Sequence, residues 1–451
     1  MPIDRKRKML SCQSYFWPVV SLLFGVSLTT DVIYIFKLGN TCVYIGYAFA
    51  VVLALLLLVS RRHFDDVRLA VVDCSVWVFS AFVSLSLFPA LFSAFLGHSP
   101  ADAPLVVLKG LVVFFCGLLV YFAVAELRSF RRYFIFGLTL GLVINGIVSI
   151  MQQFAFDSGS FFTFYNLFPQ DSFCVSAKWD IWPSLPPYAG RINTFRPQGL
   201  FLEASHLMVF LVCLAPYIFL KTNNFYVKLV IVVLTGYCAF TSASPNAVFL
   251  IIESLVLLAI SFSSSSVKLS KVKFNPIAAI VLSAFFFAGI LFLLYRPDLL
   301  TGAFESVSRS LSDLNVASST DDGTLERWDS MMKALAALSQ FPFGSGWNTE
   351  SSVLVYIYGS SDVASHSFAI RLVLELGVLG LVSYIYVIVR HARLLLCSRS
   401  SIEALALGMA VVFLFVCQAS NGTSMLPWVW ALLGLAQSET LALKEGVRLE
   451  K

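Results

Sequence analysis

Apolar runs close to the roughly 20 residues that cross a hydrocarbon core recur along almost the whole chain, and this pattern more than any other limits its fold. They lie near residues 15–36, 42–59, 70–94, 105–125, 133–154, 199–220, 227–243, 246–263, 276–295, 368–389, 404–419 and 425–441. No long polar segment that could fold as a soluble module separates them. Hydrophobic residues make up 58% and charged residues 13% of the 451 positions, against about 45–50% apolar in soluble domains. A water-soluble enzyme or a nucleic-acid-binding module is therefore excluded as a class. The expectation is a single all-α polytopic membrane domain, 1–451, with about 12 transmembrane helices.

Basic residues alternate with these spans. Arg61, Arg62 and Arg68 fall between the second and third, and Arg128, Arg131 and Arg132 between the fourth and fifth. Lys221 and Lys228, then Lys268, Lys271 and Lys273, then Arg390, Arg393 and Arg399 continue the pattern. With Arg5, Lys6, Arg7 and Lys8 at the start and Lys444, Arg448 and Lys451 at the end, all fall on one side, which the positive-inside rule makes cytoplasmic. Both termini are then cytoplasmic, and the basic start precedes an uncleaved first helix because no small-residue cleavage pattern follows it. The other face carries short turns near Leu38, His98 and Pro245 and two long loops, 155–198 and 296–367, too long for plain connections.

The nine cysteines are scattered, with only Cys174 clearly in a long loop, so neither a disulfide framework nor metal-ligand spacing can be built. No metal and no cofactor is expected.

The first long loop ends Gly190-Arg191-Ile192-Asn193-Thr194-Phe195-Arg196-Pro197-Gln198-Gly199. Pro197 suits the first turn of a helix, which would put Arg196 at a helix N-terminus, where the dipole and open N–H groups favour an anion. Glu203 and His206, three residues apart, would then share a face about two turns down. The bland alternative is that Arg191 and Arg196 reach lipid headgroups and Glu203 pairs internally. Aromatic residues 161–188, including Phe161, Trp179, Trp182 and Tyr188, suit either sugar stacking or an interfacial belt.

In the second loop, Leu325, Trp328, Met331, Leu335 and Leu338 recur at helical spacing, predicting an interfacial helix with Arg327 near its start that ends before Pro342 and Gly344. The loop closes with Ser365-His366-Ser367 at the mouth of the tenth span. Arg371 and Glu375 follow at i,i+4, where they can pair within the membrane and support His366 as a base or phosphate ligand. A lone histidine there is also a common cap or interface residue. Lys109, Asp31, Asp73 and Glu253 fall in or beside apolar runs with no role assigned.

At Arg196-Pro197-Gln198-Gly199-Leu200-Phe201-Leu202-Glu203-Ala204-Ser205 the chain resembles the bacterial O-antigen polymerase (Wzy-type) and O-antigen ligase superfamily. Arg327-Trp328 leading to Pro342-Phe343-Gly344-Ser345-Gly346, and His366-Ser367 leading to Glu375-Leu376-Gly377-Val378-Leu379-Gly380, are similar to the same family in the same order. The resemblance covers roughly the C-terminal half. It implies glycosyl transfer at the periplasmic face of the bacterial inner membrane from an undecaprenyl-diphosphate-linked oligosaccharide, without metal or nucleotide sugar. Its implied partners are that oligosaccharide and membrane lipids, with a chain-length regulator protein as an optional partner and no nucleic acid. By the same resemblance Arg191 or Arg196, together with Arg327, binds the diphosphate, and His366 is essential near the transfer centre. Glu203 or His366 would take the proton from the attacking hydroxyl. Glu203-Ala204-Ser205 resembles the Glu-Pro-Ser form of polymerases, with Ala204 replacing proline. Ligase, with lipid A core as acceptor, is the alternative, and a lipid-linked glycan flippase a more distant one.

Overall fold

A computed structural model describes residues 16–31, 33–38, 41–61, 72–158, 197–201, 203–242, 244, 246–264, 322–359, 365–397, 401–420 and 425–444. The ninth expected span, nearly all of loop 155–198, both chain ends and residues 296–321 lie outside them.

The chain opens with helix α1 (Phe16–Ser27), then strands β1 (Tyr34–Leu38) and β2 (Thr41–Tyr44), then α2 (Ile45–Arg61). It continues through α3 (Cys74–Leu85), α4 (Leu87–Phe95), α5 (Ala103–Glu126), α6 (Arg131–Asp157), α7 (Ala204–Lys221), α8 (Phe225–Thr241) and α9 (Ala247–Ser264). After the undescribed stretch come α10 (Asp322–Ala337), α11 (Glu350–Tyr358), α12 (Phe368–Leu396), α13 (Ile402–Ser420) and α14 (Pro427–Lys444).

Among the described residues, six segments are long and apolar enough to cross a membrane: Cys74–Phe95, Ala103–Glu126, Arg131–Ala155, Ala204–Lys221, Phe368–Leu396 and Ile402–Ala419. Shorter apolar helices accompany them. The outer faces of α3, α4 and α5 expose Trp77, Phe88, Phe92, Phe95 and Leu105, a surface unsuited to water and suited to lipid. The chain is a multi-pass, predominantly α-helical membrane protein.

The first expected span, 15–36, is corrected. Helix α1 stops at Ser27, and the chain turns into an antiparallel hairpin that pairs Lys37 with Cys42 and Leu38 with Thr41. β-Branched and aromatic residues from Ile33 to Phe36 favour a strand as readily as a membrane helix, and hydropathy does not tell these apart. The span predicted at 70–94 runs as Cys74–Phe95, with α3 and α4 meeting at Ser86, whose hydroxyl donates to the Val83 carbonyl and accepts the Trp347 N–H at 3.0 Å.

Packing is tight where small residues let helices approach. A Cβ on Gly25 would lie 2.4 Å from the Phe134 carbonyl oxygen, so α1 and α6 cross there almost in contact. Around Phe114, edge-to-face contacts join Phe79, Trp347 and Trp430, tying α3, α5 and α14 to the loop after α10.

The charge pattern reappears in three dimensions. Arg131 at the start of α6 meets Glu439 near the end of α14 at 2.5 Å, and Lys221 at the end of α7 approaches the same carboxylate at 4.0 Å. Arg390, late in α12, reaches Asp73 before α3 at 3.3 Å. Segments expected on the basic side therefore gather at one end of the bundle. Tyr356 on α11 donates to the Gly97 carbonyl at 3.1 Å, joining the second long loop to the turn near His98 at the other end.

Candidate functional site

The site is built on a break in α12. Gly377 has φ 71° and ψ 178°, outside the helical region, so the helix cannot continue regularly through it. The carbonyls of Leu374 and Glu375, in the turn before the break, accept the Ser345 N–H at 2.8 Å and the Gly346 N–H at 2.9 Å. A broken helix at membrane depth needs such substitutes, because hydrocarbon offers no hydrogen bonds. The Ser345 hydroxyl shares a 2.7 Å hydrogen bond with that of Thr349. Beneath this loop, Ala334, Ala337, Phe341, Val353, Leu354 and Leu374 form a small apolar cluster that seats α10 and α11 on α12.

Above the break sits a compact charged group. Arg371 Nε lies 3.0 Å from Glu375 and 3.5 Å from Glu350, while its Nη2 donates to Asn348 at 3.0 Å. The Glu350 N–H donates to Glu375 at 3.2 Å. Glu375 is fully buried, and its second carboxylate oxygen has no hydrogen-bond partner among the described residues. Two carboxylates thus face one guanidinium, a local excess of negative charge beside the mouth of α12.

His366 stands at that mouth in the left-handed region with φ 48°, a conformation uncommon for a residue with a Cβ. Its neighbours are anchored. The Ser365 N–H donates to Glu350 at 2.7 Å, the Ser365 hydroxyl donates to the Ser367 carbonyl at 3.1 Å, and Ser367 caps α12. Both serines are buried and the imidazole is exposed. Strain of this kind collects where a side chain must be presented in one direction.

A second polar group surrounds residues 197–206. Helix α7 begins at Ala204, with Glu203 as its N-cap, which corrects the expected start at Pro197 and the placing of Glu203 two turns down. The physical reason lies on α6. Gln152 accepts the N–H groups of Gln198 and Gly199, each at 3.0 Å, and Asn145 accepts that of Leu200 at 2.7 Å. These side chains hold the segment as a turn. Glu203 accepts the Ser205 hydroxyl at 3.0 Å. His206 Nδ1 lies 2.9 Å from Asp31, which is fully buried and whose own N–H donates to the Leu200 carbonyl at 3.3 Å. The connection between α1 and β1 is thereby joined to the start of α7.

Of the expected residues, the structure brings Arg371 and Glu375 together next to His366, and places Glu203 and His206 at the head of α7. Arg327 lies on α10, as the apolar spacing predicts, and only its backbone is described. Arg191, Arg196 and the aromatic run 161–188 lie outside the described residues. Sequence reading missed Glu350 and Asn348 and gave Asp31 no role. Glu350 follows Thr349 at a helix start, which marks it as an N-terminal acid, but nothing local points to Ser365 or Arg371. Among the described residues no group of three His, Cys, Asp or Glu could hold a metal ion.

No protein-family model matches the chain, and no curated protein matches it.

Proposed function

We propose that this protein is an O-antigen polymerase, a metal-independent membrane glycosyltransferase that joins undecaprenyl-diphosphate-linked repeat units at the periplasmic face of the inner membrane. In this reading twelve spans leave both termini in the cytoplasm, and the end of the bundle that carries His366 faces the periplasm. The observation that carries the proposal is the docking of Pro342–Gly346 onto the break at Gly377, beneath His366. Two of the stretches that resemble the family are thereby one structural unit.

The chemistry suits the residues. As the anomeric C–O bond to the diphosphate breaks, its electron pair goes to the leaving phosphate oxygen, and fixed arginines there offset the growing charge without a metal. Arg191, Arg196 and Arg327 fill that role, with His366 at the transfer centre. The acceptor hydroxyl forms the new bond and gives its proton to Glu203 or His366.

A ligase reading, with lipid A core as acceptor, is favoured by one feature: Ala204 stands where the polymerase pattern has proline. Surface glycans from cells with and without the gene, compared on gels, separate the readings. Loss of the long ladder with one capped repeat retained supports polymerase, and loss of even that repeat supports ligase. Unchanged glycans overturn both.

A further inference from the structure

A histidine in the left-handed region is strained and persists there only where its surroundings hold it, so whatever pins its flanks sets where the imidazole points. The C-terminal flank is pinned by the start of α12 itself, through Ser367. The N-terminal flank is pinned from a distance. Glu350, 15 residues earlier at the first turn of α11, accepts the Ser365 N–H with one carboxylate oxygen at 2.7 Å. Its other oxygen faces Arg371 Nε at 3.5 Å. Arg371 is itself held by Glu375 and Asn348, and the Glu350 backbone N–H is tied to Glu375 at 3.2 Å. The carboxylate therefore spans two places at once: the residue before His366 and the first turn of the helix after it.

We infer that Glu350 is a positioning residue for His366, a latch that ties Ser365 to the first turns of α11 and α12 and so aims the imidazole. This rests on the transfer reading above and deepens it. The essential contribution of Glu350 is its oxygen on the Ser365 N–H. A neutral amide oxygen of the same length serves that contact, whereas a methyl does not. An imidazole displaced by about 1 Å costs on the order of a hundredfold in rate without touching donor affinity, because near-attack geometry and not binding is lost. The signature is a fall in kcat with KM for the lipid-linked donor unchanged.

The test uses the purified full-length protein in detergent with lipid-linked repeat units, measuring kcat, donor KM and thermal unfolding together. Glu350→Gln keeps kcat within about threefold of wild type. Glu350→Ala lowers it about tenfold or more, with KM within about twofold. Ser365→Pro removes the N–H while leaving the Glu350–Arg371 pair intact, and matches Glu350→Ala once corrected for Ser365→Ala, which loses only the hydroxyl's bond to the Ser367 carbonyl; it carries the test if the Glu350 variant does not fold. Wild-type kcat in Ser365→Pro, or a Glu350→Gln variant as impaired as Glu350→Ala, overturns the inference. His366→Ala, run alongside, separates the two claims: wild-type kcat there removes the transfer reading itself, whereas a dead His366→Ala beside a fully active Glu350→Ala removes only the latch.

Discussion

The Ser345 N–H donates to the Leu374 carbonyl at 2.8 Å, across the face of α12 that breaks three residues later at Gly377. Two segments 29 residues apart thereby complete one another's backbone hydrogen bonding, and the loop that does so also carries Asn348 and leads into Glu350. Any disturbance of this junction should reach His366 through them.

Gly344 is the sharpest test of the junction. It has φ +89°, and a Cβ there would lie 2.4 Å from the Glu375 carbonyl oxygen and 2.8 Å from the Gly377 nitrogen. Gly344→Ala therefore destabilises the protein by about 1–3 kcal/mol. It shows as a lower unfolding temperature in detergent. An unchanged temperature would mean the loop does not sit on the break.

Asp31 joins the turn after α1 to α7 through His206. Asp31→Ala strands a partly buried ring nitrogen and costs about 1–3 kcal/mol, whereas Asp31→Asn keeps an acceptor and recovers more than half of that loss. Thermal unfolding of the two variants side by side decides it, and equal losses would rule out the hydrogen bond as the cause.

At the opposite end, Arg131 and Glu439 are both nearly buried, at 9% and 7% side-chain exposure. Arg131→Met leaves the carboxylate without its main counter-charge and costs about 3–5 kcal/mol, and adding Glu439→Leu restores most of it. Chemical denaturation of single and double variants measures the coupling. Strict additivity would show that the two side chains do not act as a pair.

Asp73 supplies the pH-dependent contact. Partial burial pushes its carboxyl up, but hydrogen bonds from the Ser75 N–H and hydroxyl and from Arg390 outweigh this and hold it below its ordinary value. A carboxyl lowered by folding stabilises above its unfolded pKa of about 3.9 and loses that contribution as pH falls through the folded value. Wild type should unfold at a higher temperature than Asp73→Asn near neutral pH, with the gap closing below about pH 3.9. A gap that persists undiminished in acid contradicts the assignment.

Several of these features were readable from composition and spacing. Helices α5, α6 and α12 follow from apolar length alone, and α10 from the spacing of Leu325, Trp328, Met331, Leu335 and Leu338. The Arg371–Glu375 pair follows from i,i+4 geometry. The start of α7 was misread because the preference of proline for a first helical turn is a local bias, and three backbone N–H groups donated to Gln152 and Asn145 outweigh it. Glu350 was invisible because its hydrogen bond runs to a backbone N–H, which any residue at position 365 except proline would present.

What the chain's own order of residues dictates is its solvent: twenty apolar side chains in a row are soluble only in lipid, and hydrocarbon forces their backbone into helices. It dictates the spacing of basic residues between the apolar runs as well, since charge placement is a property of each connecting segment alone. The break of α12, the left-handed turn at His366 and the meeting of Glu350 with Ser365 and Arg371 are decided only when distant segments pack. Each depends on a backbone or charged group finding a partner that neither its neighbours nor the lipid can provide.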